Sequence, residues 1–213
     1  MGQVADFGHS DAPSAGGASL SYTLGRTGRL LRLVAHRFFH VDRRSSLLEG
    51  QSIELDSHGL TRFGATYWHS ITTKRPEYMD DAERREFILE SIRREPKFSN
   101  YTSRLSGFFG ANTLEDAERF VQQIEPRATN KVPVFEVFAS RFWTLDMNWL
   151  DYSADDEQRL KYLREYWHAA ISNHNPAIGA RKPPLLEVLM APPIQVGKIV
   201  AWIENAVLQS GTA

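Results

Sequence analysis

"PPLLEVLMAPP", residues 183–193, sets a glutamate in the middle of an apolar run fenced by prolines. The run reads as a short, mostly buried strand. Alternation along a strand places Leu185, Glu187 and Leu189 on one side. Glu187 therefore stands in an apolar row, and a buried charge needs a partner.

Two other segments repeat the pattern. In "RLLRLVAHRFFHV" (29–41), read as the first strand, Leu33, Ala35, Arg37, Phe39 and Val41 share a side, so Arg37 also sits among apolar residues. Glu136 lies between Val134 and Phe138 in "VPVFEVFASRFWTL" (132–145), a strand pair or one bent strand. Either these charged residues face solvent near a sheet edge, or Arg37 pairs with one of the glutamates, or they meet a ligand.

Helical signals separate the strands. "DDAERREFILESIRRE" (80–95) starts on Asp and stops before Pro96. "TLEDAERFVQQI" (113–124) opens with a capping box from Thr113 to Asp116, and Leu114, Ala117, Phe120, Val121 and Ile124 share one face. "SADDEQRLKYLREYWHAAIS" (153–172) reads as the longest helix, with Leu160, Leu163, Trp167, Ala170 and Ile171 inward. "SRLSGFFGA" (103–111) reads as a strand, and "IQVGKIVAWIENAVL" as a last helix or a strand running into one. Strands scattered between helices with uneven gaps predict an α+β domain with a mixed or antiparallel sheet.

The 213 residues suit one domain, expected over 28–208, with a flexible tail over 1–27 and a short one over 209–213. A net charge of −1 provides no global field for nucleic acid, and basic pairs such as Arg43-Arg44 and Arg84-Arg85 are interleaved with acids. The absence of cysteine removes disulfides, zinc–thiolate sites and cysteine nucleophiles together. No apolar run approaches the ~20 residues of a membrane span, so no membrane partner is expected. Neither common phosphate-binding glycine loop occurs, nor does a G-x-S-x-G elbow. His36 and His40 have the spacing of a helical metal pair but fall in a strand, and "DMNWLD" (146–151) reads as a turn anchored by Trp149; no metal is invoked.

Three segments in order resemble the ADP-ribosyltransferase superfamily, especially the branch of DNA-modifying toxins and RNA 2′-phosphotransferases. "HRFFHVDRRSSLLEG" resembles its first strand and glycine-ended turn, with Arg37 at the NAD-contacting position and His40 three residues on. "GFFGANTLEDAERF" resembles the second signature, with Phe109 where many members carry tyrosine and Ala117 as the small inward helix residue. "LLEVLMAPPIQVGKIV" resembles the third, which makes Glu187 the catalytic glutamate. The chain from about 29 to 203 also looks like a bacterial family of unknown function associated with that superfamily. Three features depart from the pattern: Phe109 has no hydroxyl, Leu185 stands where members that modify protein arginine carry a second acid or amide, and no clear Ser-Thr-Ser triplet is present. The Ser-Thr-Ser triplet has only a loose counterpart in "YTSRLS" (101–106), which ends on Ser106.

The resemblance implies a split-sheet α+β domain, NAD as co-substrate with no metal, and a macromolecular acceptor, either nucleic acid or protein. Glu187 is then catalytic, and Arg37, Phe109, His40 and Ser106 contact NAD. Glu136 is the rival acid. The implied activity is that of a toxin, effector or defence protein, cytoplasmic or secreted as an effector. A non-catalytic binding or immunity module and an RNA 2′-phosphotransferase are the alternatives.

Overall fold

The computed structural model describes residues 19–24, 30–123 and 131–204. It is an α+β domain of two antiparallel sheets with flanking helices. The larger sheet runs β1 (Ser19–Leu24), β2 (Leu30–Val41), β5 (Val132–Ala139), β8 (Ile194–Ile203) and β3 (Ser52–Ile53) in spatial order. The smaller runs β4 (Phe108–Gly110), β7 (Leu186–Met190) and β6 (Phe142–Asp146).

The tail expected over 1–27 is corrected at Ser19–Leu24, which pair antiparallel with β2. The rest of that tail, and the one over 209–213, lie outside the described residues. The bent strand or strand pair over 132–145 is two strands, one in each sheet, joined through Ser140 and Arg141. Likewise β7 and β8 belong to different sheets and are joined by Ala191-Pro192-Pro193.

Both crossings lie at the same end of the sheets. Arg37 pairs with Phe138 there and Phe142 with Met190, whereas Val41 pairs with Val134 and Asp146 with Leu186 at the opposite end. Phe38, Phe135, Val137, Ala139, Val188, Met190, Ile194 and Val196 form one buried cluster between the sheets. Toward the other end a single bridge, Phe39 to Ala111, stitches β2 to β4. Gly110 makes that approach feasible: a Cβ there would lie 2.9 Å from the Phe39 carbonyl oxygen and 2.8 Å from Met190 Cε.

Among the described residues, five α-helices and a short 3-10 turn, Pro76–Tyr78, complete the domain. The first, α1 (Arg62–Thr73), carries no strong signal in the sequence. It packs so closely that a Cβ on Gly64 would meet the Leu105 carbonyl oxygen at 1.9 Å. The second, α2 (Asp81–Arg93), starts at Asp80 in a full capping box with Glu83. Next, α3 (Leu114–Gln123) buries Ala117, Phe120 and Val121 but leaves Leu114 exposed, correcting the expected face at that position. Then α4 (Asn148–Asp151) is one turn holding Trp149 in the core.

The last helix, α5 (Asp156–Trp167), is shorter than expected and is not the longest, since α2 has 13 residues against its 12. It ends because Ala169 adopts φ 53°, the left-handed region. Its inward residues are Tyr162, Leu163, Tyr166 and Trp167, whereas Leu160 and Ile171 are exposed. Leu163 and Trp167 lie inward as expected, while Tyr162 and Tyr166, in place of Leu160 and Ile171, complete the face against α2 and α4. The strand expected over 103–111 is a strand only at Phe108–Gly110, preceded by a turn. No helix among the described residues is long and apolar enough to cross a membrane.

Candidate functional site: a cleft at the open end of the two sheets

Glu187 enters the domain on β7 and is 4% exposed. Its carboxylate is unevenly used. Oε1 accepts a 2.6 Å hydrogen bond from the Tyr166 hydroxyl and a short one from Arg104 Nη1. No donor among the described residues lies on Oε2.

Arg104 is itself buried and reaches in the other direction to Glu86, 1% exposed, through Nε to Oε2 at 3.0 Å and Nη2 to Oε1 at 3.4 Å. Its Nη1 also donates to the Tyr166 oxygen at 2.5 Å. Two carboxylates thus share one guanidinium, and the phenol bridges it to Glu187. Burial alone would lower the Arg104 pKa, but the charges of Glu187 and Glu86 override it and raise it well above the ordinary value. Burial pushes the Tyr166 hydroxyl well up, and Glu187 adds to the rise, so Tyr166 stays protonated and acts as a donor.

The turn that carries Arg104 is fastened on two sides. Ser103 Oγ donates to Glu90 at 2.8 Å, tying it to α2. Thr61, which caps α1, donates its backbone N–H and its hydroxyl to the Leu105 carbonyl at 2.9 and 3.2 Å. Its hydroxyl is also 3.0 Å from the Gly107 carbonyl.

A cavity of about 500 Å³ opens over Glu187 and Arg104. Phe39, Phe63, Phe109 and Phe120 supply apolar walls, with Arg43, Arg44, Arg85 and Tyr67 also lining it. Phe109 meets Phe63 edge-on, with centroids 4.8 Å apart, and lies 4.8 Å from the Arg104 guanidinium carbon. A second cavity of about 530 Å³ shares His40, Arg43, Arg44, Phe63, Tyr67 and Phe109 and adds Ser46, Glu54, Thr61 and Arg62. The two are lobes of one cleft that wraps the end of β2. Arg44 and Arg62 form no ion pair with a carboxylate among the described residues.

The expected residues divide accordingly. Glu187, Phe109 and His40 line the cleft. His40 alternates to the face opposite Phe39, yet it borders both lobes because the strand ends there. Its Nδ1 lies 2.7 Å from the Phe109 carbonyl and its ring packs 4.3 Å from Phe108. Burial lowers the His40 pKa against the opposing pull of that carbonyl and of Asp42, so the neutral ring donates from Nδ1.

Arg37 is corrected: it does not line the cleft. It shares the face of Phe39, as expected, but sits nearer the closed end, where it lies 3.8 Å from Glu136 and 5.5 Å from the Phe39 ring. That also accounts for Glu136, which is Arg37's partner and lies away from Glu187. Ser106 lines neither lobe; its hydroxyl donates to the Gly59 carbonyl at 2.6 Å and helps to dock the turn. Sequence reasoning missed Glu86, Arg104 and Tyr166. The aromatic run of α5 was the available signal for Tyr166; Glu86 and Arg104 looked like ordinary surface charges. No group of three or more His, Asp or Glu side chains among the described residues is arranged to hold a metal.

The family model described as "Protein of unknown function (DUF2441)" matches residues 69–201, more than half of the chain. The chain belongs to this family. The matched segment of this DUF2441 member contains Glu86, Arg104, Phe109, Tyr166 and Glu187, while His40 and the rest of β2 precede it. No curated protein matches the chain.

Proposed function

We propose that this DUF2441 member is an NAD-dependent ADP-ribosyltransferase. One observation carries the reading: a buried glutamate with one oxygen held by protein donors and the other unspent, at the floor of a cleft walled by aromatic rings and edged with guanidinium groups. That is the chemistry needed to cleave a glycosidic bond beside a dinucleotide.

Breaking the bond between ribose C1′ and the nicotinamide nitrogen builds positive charge on the ribose. Oε2 of Glu187 accepts from a ribose hydroxyl and sets negative charge against the developing cation, in a site with little water to screen it. Phe109 packs against the nicotinamide ring. His40, on the strand where the resemblance led to Arg37, contacts the other half of the dinucleotide. Arg43, Arg44 and Arg85 face its pyrophosphate. The acceptor's nucleophile then bonds to C1′, nicotinamide leaves with the glycosidic electron pair, and the acceptor's proton passes to Glu187 or to water.

The acceptor is a nucleic acid or a protein. Arg62 and Arg44 favour a phosphate-bearing one, because they lie along the second lobe with no carboxylate partner among the described residues. With NAD as co-substrate, the reaction runs in a cytoplasm, the producing cell's own or that of a cell receiving it as a toxin or effector.

The five arginines along the cleft also favour a second reading, an RNA 2′-phosphotransferase, whose substrate brings its own phosphate to the same NAD site. Labelled NAD added to lysate with wild type or Glu187→Gln tests the first reading. Label transfer or nicotinamide release should occur with wild type and be lost in the folded variant; equal behaviour of the two rejects it. Loss of the 2′-phosphate from a phosphorylated RNA oligonucleotide, without stable labelling of lysate, would favour the second.

A further inference from the structure

Resting on the transferase reading, we propose that Arg104 and Tyr166 are positioning residues that turn Glu187 into a one-sided acceptor. Neither is expected to touch the co-substrate through its polar end. Tyr166 is wholly buried, and Arg104 directs its nitrogens at Glu86, Tyr166 and Glu187.

Both donors converge on the same oxygen of Glu187. A carboxylate held at one oxygen by a single donor can still swing about its last torsion. Held by a guanidinium and a phenol from different elements, it has one orientation, and that orientation leaves Oε2 as the acceptor for the ribose. The clamp is rigid because its far end is rigid. Glu86 on α2 takes the other edge of the guanidinium, and the turn bearing Arg104 is fastened to α1 and α2 by Thr61 and Ser103. Phe109 lies against the guanidinium, so the ring that would meet nicotinamide rests on the same fixed platform.

The one-sided hold gives the clamp a second role. Glu86 is shared between Arg104 and Arg85, whose Nε lies 3.6 Å from Glu86 Oε1, while Glu187 takes its ion pair at Oε1 alone. Oε2 is therefore left to face the positive charge that develops on the ribose only during bond cleavage. The clamp's contribution is therefore made in the transition state rather than in ground-state binding. Removing part of it should lower kcat and leave KM in place.

The test measures nicotinamide release from NAD, with water as acceptor, by the full chain and by Tyr166→Phe and Arg104→Lys. Phenylalanine keeps the ring and deletes one donor; lysine keeps the charge but cannot span two carboxylates as a planar fork does. Tyr166→Phe should lower kcat about ten- to a hundredfold with KM within about twofold of wild type, and Arg104→Lys should lower it further. Each variant should melt cooperatively, and each should bind a non-hydrolysable NAD analogue with wild-type affinity by calorimetry. A kcat for Tyr166→Phe within twofold of wild type overturns the clamp while leaving the transferase reading intact. So does a loss confined to KM, or one that only tracks the folded fraction. Should Tyr166→Phe fail to fold, the same measurements on Arg104→Lys decide. No nicotinamide release from wild type overturns both proposals.

Discussion

Two buried carboxylates sit on neighbouring strands of the small sheet, Asp146 at the end of β6 and Glu187 on β7, and they are treated in opposite ways. Asp146 is fully spent. Its Oδ1 accepts from the backbone N–H groups of Asn148 and Leu185 at 3.0 and 3.1 Å. Its Oδ2 accepts from the N–H and hydroxyl of Ser172 at 2.8 and 2.6 Å. These four neutral donors bind the segment after α5 and the approach to β7 onto β6. Glu187 has charged and phenolic donors on one oxygen and none among the described residues on the other. Both are nearly inaccessible, so burial alone does not tell them apart. The tally of lone pairs does: a saturated acid anchors the fold, and a half-spent acid in a cleft is available to a ligand.

The contrast can be attacked through stability first. Arg104→Ala removes the guanidinium that Glu86 and Glu187 share, leaving Glu86 only Arg85 at 3.6 Å, and should cost about 3–5 kcal/mol in a denaturant titration. Next comes the direct pair. Asp146→Asn turns an acceptor pair into an amide whose NH2 confronts two donors, and should cost about 2–3 kcal/mol. Glu187→Gln keeps an acceptor for Tyr166 and leaves Arg104 paired with Glu86, and should cost less than about 1 kcal/mol while, on the transferase proposal, abolishing NAD cleavage. Equal melting shifts for these two substitutions would erase the distinction between anchor and site. Gly110→Ala forces a methyl against the Phe39 carbonyl and Met190 at the sheet junction, and should cost about 1–3 kcal/mol by thermal melt.

The smallest effect is on pH dependence. Because burial lowers the His40 pKa in the folded protein, protonation favours the unfolded chain. The stability that neutral His40 contributes should be complete above about pH 6.5 and be lost as pH falls through the lowered folded value. His40→Asn should flatten that part of the stability–pH curve and leave the plateau above pH 7 with the same slope.

Much of the frame was legible because it follows from short-range rules. The apolar run of β2, the capping signals of α2 and α3, and the proline-fenced β7 all state their own structure, and alternation flagged Glu187 together with Arg37 and Glu136, among which only the resemblance chose. What failed was set by distance through space. Alternation gave the side of β2 on which Arg37 lies, but not that the cleft begins two residues farther along. The turn before β4 has the composition of a strand; it turns because Arg104 and Thr61 fasten it to other elements. The α5 helix stops at an alanine in the left-handed region, without the glycine that would have announced it. Glu86, Arg104 and Tyr166 come from three separated stretches, and only their meeting with Glu187 gives any of them a meaning.

The two short crossings, at 140–141 and 191–193, bind the sheets along one edge, as the covers of a book are bound at the spine. The pages part at the other edge, where the Phe39–Ala111 bridge acts as a clasp. Altering the length or stiffness of either crossing would shift the small sheet, and the Glu187 it carries, against the larger one without changing a residue that lines the cleft.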